Sequence, residues 1–190
     1  GQLPIEVVAR LANQLGSDVW LNIPQRASDA LVQHLATTLH DDLVPGLKVY
    51  TELSNEVWNG AFPYAQHAQY FAATGCARYA DLSQCDNDAT PGNGVLCEGY
   101  PWPNQIADCT TARNRYFSDR TVEVGAIFRT TLGADRVVRV MGGWNQLSYN
   151  RALLEFHNNY QGVDAIAQPT YFGGYIPSNL NNPQILQSWL

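Results

Sequence analysis

Positive charge is scarce in this sequence: 11 Lys and Arg stand against 17 Asp and Glu, for a formal charge of -6 and a pI near 5.0. With no basic run, neither nucleic acid nor an anionic membrane is expected as a partner. Long apolar runs are missing too, since no segment approaches the roughly 18 residues that a membrane span needs. No C-x-x-C pair occurs, so the spacing of the four Cys argues against a metal site. His34, His40, His67 and His157 are scattered and form no ligand motif and no Ser-His-Asp or Cys-His arrangement. There is no Gly-rich phosphate loop, and no cofactor is expected.

What remains is ordinary globular composition, 45% hydrophobic and 15% charged, enough for one domain with a sizeable core. Neutral substrates suit this charge balance. Five Trp and ten Tyr supply flat rings, which fill cores and also bind the C–H faces of sugars. The first residue is Gly1 and no signal-peptide pattern is read there, so either a leader has been removed or the sequence is an excerpt from a longer protein, and the order of elements favours the excerpt.

Hydrophobic spacing gives an alternating series of elements. Ile5, Val8, Leu11, Ala12 and Leu15 predict an amphipathic helix from Pro4 to Gly16, and Val19 to Pro24 reads as a short buried strand. Ser28 is the expected N-cap of a second helix, with Leu31, Leu35, Leu39 and Val32, Ala36, Leu43 as its apolar stripe. The stretch 47–59 opens as a strand in which Val49, Thr51 and Leu53 alternate with Tyr50, Glu52 and Ser54. Residues 60–80 read as helical. Residues 81–108 form a turn-rich insertion, with Pro91-Gly92-Asn93-Gly94 and Pro101-Trp102-Pro103 as its strongest signals. Helical spacing returns over 110–132, then a strand over 136–141, a helix over about 150–160 and a strand over 163–167. Helices alternating with strands in this way indicate an α/β fold with a parallel sheet.

The second strand closes on Asn55-Glu56 beside Trp58, and a carboxylate at the end of a mostly apolar strand is costly unless paired, which marks a candidate site. Glu52 and Glu56 are four apart and would share a face of a regular strand. Glu52-Leu53-Ser54-Asn55-Glu56 resembles the E-L-x-N-E signature of the clan of retaining glycoside hydrolases built on the (β/α)8 TIM barrel, whose fourth strand ends in Asn-Glu. The longer match, Asn55-Glu56-Val57-Trp58-Asn59, is similar to a bacterial cellulase-like or cellulose-binding subgroup. Val57 stands where many clan members have Pro.

The resemblance implies Glu56 as the general acid/base and Asn55 as the ligand of the sugar 2-hydroxyl. It aligns the four visible strands with the third to sixth of the barrel. Because a closed barrel takes about 250 residues, residues 1–190 are expected to be the central part of one such domain, with a Cys-containing insertion at about 76–109. Other suggestive groups also follow strands: Asn22 and Gln25, Trp144 and Gln146, and Tyr171. Active sites of (β/α)8 enzymes gather at those carboxyl-end loops. Trp58 is a packing wall or a sugar platform, Trp144 on its Gly-Gly turn presents a ring to substrate, and Tyr171 either hydrogen-bonds in the site or packs. The resemblance puts the second catalytic carboxylate at the end of the seventh strand, and 175–190 hold no Asp or Glu. Glu52 is expected to support the site.

The expected activity is therefore hydrolysis of a β-linked polysaccharide or oligosaccharide by the parent protein, the stretch itself lacking a nucleophile; the alternative is a non-catalytic carbohydrate-binding relative. Four Cys within and beside one polar insertion imply two disulfides and an extracellular or periplasmic location. Of three possible pairings, the expected one nests Cys85–Cys97 inside Cys76–Cys109.

Overall fold

The computed structural model describes residues 3–61, 64–86, 90–101 and 106–169. Its elements are α1 (Ile5–Leu15), β1 (Val19–Ile23), α2 (Asp29–Asp42), β2 (Val49–Leu53), α3 (Tyr64–Arg78), α4 (Ala107–Leu132), β3 (Val137–Gly142), α5 (Leu147–Glu155) and β4 (Ala165–Ala167). The four strands form one parallel sheet in the order β1-β2-β3-β4. Strands that neighbour each other in chain order, joined by right-handed crossovers, put every connecting helix on the same face of the sheet. The mixed α/β architecture expected from the alternation is thus present, and the sheet is covered by helices on one side.

Strand residues show that sidedness. Val49, Thr51 and Leu53 are buried toward the helices, while Tyr50 and Glu52 are half-buried on the other face and Trp20 is 52% exposed there. Trp20 pairs in register with Tyr50, and their rings stack at 5.4 Å with 5° between planes.

Helix starts and stops follow local chemistry. Gly16 at φ 63 ends α1, and the Ser28 hydroxyl accepts from the Leu31 amide at 3.3 Å to cap α2. The apolar stripes differ from the expected ones. In α1, Ile5, Ala9 and Ala12 are buried and Leu11 and Leu15 are exposed; in α2, Leu31 is exposed while Val32, Ala36 and Leu39 go inside. Which face each helix buries is set by its neighbours: α1 and α2 pack on each other, and α2 also packs on α4. The last predicted helix is also corrected. α5 starts at Leu147 and stops at Glu155, because His157 and Asn158 adopt left-handed backbone at φ 48 and 58 within the 3₁₀ segment Phe156–Gly162. Asp119 of α4 holds that segment, accepting from Asn159 Nδ2 at 2.8 Å and lying 3.2 Å from His157 Nδ1, and it also accepts from the Tyr79 hydroxyl at 2.7 Å.

α4 runs beneath β2 and β3 and packs on α2, α3 and α5. Its approach to α3 is close: a Cβ on Gly75 would overlap the Ala112 carbonyl. Above that contact sits a small second core of Ala68, Ala72, Ala112 and Tyr100 around all four cysteines. The disulfides are Cys76–Cys85 and Cys97–Cys109, sequential rather than nested. The nested expectation fails because the Cys97 amide donates to the Cys85 carbonyl at 2.9 Å, which aligns the two backbones while each sulfur reaches a different helix. Closing loops of 9 and 12 residues contributes about 3 kcal/mol each in the chain-entropy model. Among the described residues no helix is long and apolar enough to cross a membrane.

Two measurements check this arrangement. Gly75→Ala, which forces α3 and α4 apart, should lower stability by about 1–3 kcal/mol in denaturant unfolding; an unchanged midpoint would contradict the close approach. Mass spectrometry of unreduced proteolytic peptides should recover Cys76 joined to Cys85 and Cys97 joined to Cys109.

Candidate active site

β2 leaves the sheet through a strained turn. Ser54 has φ 60 and Glu56 φ 45, left-handed conformations that side chains bearing a Cβ seldom adopt. Neighbours hold them in place. The Ser54 amide donates to the Ile23 carbonyl at 2.7 Å, the Asn22 side-chain amide donates to the Ser54 carbonyl at 2.9 Å, and the Ser54 hydroxyl lies 3.3 Å from His67 Nδ1. Burial lowers the His67 pKa, so this imidazole favours its neutral form.

The turn redirects Glu56 back over the strand end. A cavity of about 210 Å³ opens there, lined by Glu52, Asn55, Glu56 and Trp58 from β2 and its turn, Phe117 from α4, Gly142 at the end of β3 and Gln168 after β4. The regular-strand argument for Glu52 and Glu56 sharing a face does not apply, because β2 ends at Leu53. They meet in one cavity through the two left-handed residues instead.

The two carboxylates differ in their surroundings. Asn59 Nδ2 donates to Glu56 Oε2 at 2.8 Å, and the Asn59 Oδ1 accepts from the Ala61 amide, so the turn closes on itself around Glu56. Glu52 Oε2 accepts from Trp20 Nε1 at 2.9 Å and from Asn22 Nδ2 at 3.2 Å. Burial pushes the Glu52 carboxyl above its ordinary range, opposed by those two hydrogen bonds, which favour the charged form. Glycine at 142 leaves room for this carboxylate: a Cβ would stand 3.0 Å from Glu52 Oε1 and 3.4 Å from Phe117, so Glu52 would have to shift slightly.

The other expected residues divide. Asn55 is exposed and lines the cavity, as does Trp58. Trp144 stacks on Trp58 at 5.1 Å and 8°, so the facing sides of both rings are covered by each other. Asn150 fixes Trp144 by accepting from its amide at 2.9 Å and donating to its carbonyl at 2.7 Å. Gln146 is exposed at the start of α5, outside the cavity lining, and Gln25 is half-buried and also outside it. Tyr171 lies outside the described residues.

Sequence reading missed Phe117, Gly142 and Asn150. Phe117 and Gly142 look like ordinary helix and loop residues, and an Asn in the first turn of a helix reads as a cap rather than a clamp. It also could not see that the four cysteine Sγ atoms, paired as two disulfides, lie within 4.8 Å of one another.

Chemically, the cavity sets two carboxylates in unlike hydrogen-bonding surroundings, an arrangement suited to dividing roles between two acids. The raised pKa of Glu52 carries a pH signature. The folded chain favours protonated Glu52, so between the unfolded and folded pKa it binds more protons than the unfolded chain, and stability falls as pH rises through that window. Glu52→Gln removes the titration. Unfolding free energies of wild type and Glu52→Gln, measured from about pH 4 to about pH 7, should show wild type losing stability relative to the variant as pH rises above about 4.3, the ordinary Glu value. Parallel curves would contradict burial of Glu52.

No family model, no curated protein and no solved structure matches this chain.

Proposed function

We propose that this chain supplies the third to sixth βα units of a (β/α)8 barrel and the acid/base half of a retaining glycoside hydrolase acting on a β-linked glycan. The observation that carries the reading is the placement of Glu56 and Glu52 in one cavity beyond the carboxyl end of a parallel strand, behind a turn strained at Ser54 and Glu56. Glu56 protonates the glycosidic oxygen as the bond breaks and later takes a proton from the attacking water, and Asn55 hydrogen-bonds the sugar 2-hydroxyl. Glu52, braced by Trp20 and Asn22, shapes the floor and sets the local field. The second carboxylate of the double displacement belongs to a further strand of the barrel, about 5 to 5.5 Å from Glu56 in a retaining enzyme.

Topology supports the barrel. Sequential strand order keeps the helices on one face, and in a closed barrel the opposite face turns inward. Exposed Leu3, Val7, Leu11 and Leu15 recur every four residues along α1 and its approach, the ridge that a neighbouring helix of the barrel's outer ring would cover. The two disulfides support an extracellular or periplasmic location. The stacked Trp58–Trp144 pair beside the cavity favours a second reading, a barrel that binds carbohydrate without turning it over.

The test uses the chain joined to the remaining strands of its barrel. Loss of general acid/base assistance typically costs 10² to 10⁴-fold. Glu56→Ala should therefore slow hydrolysis of a natural glycan by about that factor. An aryl glycoside with a good leaving group should keep most of its first step, and azide should restore turnover by replacing the base-assisted water. Equal losses on both substrates without azide rescue would remove Glu56 from this role, and glycan binding with no hydrolysis in the unmutated protein would favour the second reading.

A further inference from the structure

Four cysteines converge on one buried point under the insertion. Cys76 comes from the last turn of α3, Cys109 from the first turn of α4, and Cys85 and Cys97 from the segment between them. All four are buried, and Cys97 and Cys109 are fully so. The two disulfides lie against each other: Cys76 Sγ, bonded to Cys85, is 3.4 Å from Cys97 Sγ, which is bonded to Cys109. Every pair of Sγ atoms falls within 4.8 Å. Two disulfides need only two separate pairs; nothing in cross-linking a loop requires the pairs to share one point.

We propose that these four sulfurs form a redox-dependent metal site, holding one Zn²⁺ as a tetrahedral tetrathiolate when the chain is reduced. A Zn–S bond of about 2.3 Å sets the edges of a regular S₄ tetrahedron at about 3.8 Å. The distance from Cys76 to Cys97 is already near that value. Only the two bonded pairs must open, and with Cα–Cα separations of 6.0 and 5.8 Å side-chain rotation supplies the movement. Cys76 and Cys109 stay fixed because α3 and α4 are locked at Gly75 and Ala112.

The ligand chemistry selects the metal. Four thiolates with no carboxylate or imidazole among them suit a soft or borderline cation with tetrahedral preference and exclude Mg²⁺ or Ca²⁺, which take oxygen. Around the sulfurs lie Ala68, Ala72, Ala112, Tyr100, Leu82, Leu96 and Ile106, an apolar wall that keeps water from the bonds.

The chemistry balances in two steps. Each disulfide takes two electrons and two protons and yields two thiols: a dithiol supplies both and becomes a disulfide, whereas a phosphine supplies the electrons and water supplies the two protons and the oxygen of the phosphine oxide. Zn²⁺ then replaces the four thiol protons, leaving a complex of charge -2 and four protons in solution. Two equivalents of a small-molecule disulfide reverse the sequence: they take four electrons from the thiolates and four protons from solution to become four thiols, Zn²⁺ is expelled, and Cys76–Cys85 and Cys97–Cys109 are restored.

The test takes the whole chain, reduces it with a phosphine under argon and titrates it with Co²⁺ as a spectroscopic stand-in for Zn²⁺. Expected are the intense visible bands of tetrahedral cobalt with sulfur-to-cobalt charge transfer in the near ultraviolet. Both should saturate at one ion per chain and vanish when Zn²⁺ is added, and the unreduced chain should give neither. Whether or not the reduced chain keeps its fold without metal, Zn²⁺ should restore or raise its thermal transition. Cys97→Ser should lose charge-transfer intensity, and the unsubstituted chain's spectrum decides the matter even if that variant does not fold. A pale octahedral cobalt spectrum, no saturation at one ion per chain, or no effect of Zn²⁺ on the transition of the reduced chain would overturn the proposal.

Discussion

The contact between α3 and α4 at Gly75 sets the geometry of nearly everything beside it. With no side chain at that position, two helix backbones come together over Ala112. Phe71 then reaches Phe117 at 5.6 Å between ring centres, and Phe117 in turn lines the cavity at the end of β2. The same approach holds Cys76 and Cys109 on either side of the sulfur cluster. A single glycine on α3 therefore links the insertion, the main core and the candidate site. Further down α4, a Cβ on Gly125 would stand 2.7 Å from the Arg139 side chain, so the helix also lies close to β3. Arg139 passes beneath it to Asp164, whose carboxyl that guanidinium holds below its ordinary range.

Around this frame the candidate site is assembled from neighbours in the sheet. Glu52 sits beside Asn22 in register and takes hydrogen bonds from Asn22 and Trp20, both on β1. Gly142 on β3 leaves room for its other oxygen. A partly desolvated carboxylate is tolerable only because those donors lie on the adjacent strand at matching height. Glu56 depends on a different device: two residues in left-handed backbone turn it over the strand end, and Asn59 holds it from below. The two acids thus gain different environments within the stretch from Glu52 to Asn59, which is what acid/base chemistry by unlike carboxylates needs.

Much of this was legible in the sequence because it rests on local periodicity. The period-two alternation over Val49 to Leu53 fixed a strand, Ser28 and Gly16 marked helix ends, and the alternation of helix and strand fixed a parallel sheet. Asn55, Glu56 and Trp58 were visible as an unlikely cluster at a strand end, and all three line the cavity. Gln146 was placed with them only because it follows β3, and it points elsewhere because α5 begins at Leu147. The α5 boundary and the exposed Leu11, Leu15 and Leu31 went astray because both depend on what packs alongside. Asp119, forty residues from Asn159 and from Tyr79, decides where that helix breaks.

Composition and spacing by themselves determined the α/β class, the strand that carries the acids and the oxidisable insertion, since each follows from residues adjacent in the chain. Only the tertiary structure decided which cysteines bond, that all four sulfurs meet, that Trp58 lies on Trp144 and that Glu52 shares a cavity with Glu56. Glu52 and Glu56 meet through a strained local turn, and the other contacts join residues from 9 apart (Cys76–Cys85) to 86 apart (Trp58–Trp144), set by the packing of strands and helices. No local pattern encodes such distances, because a side chain's partner across a parallel sheet or a helix pair is chosen by packing.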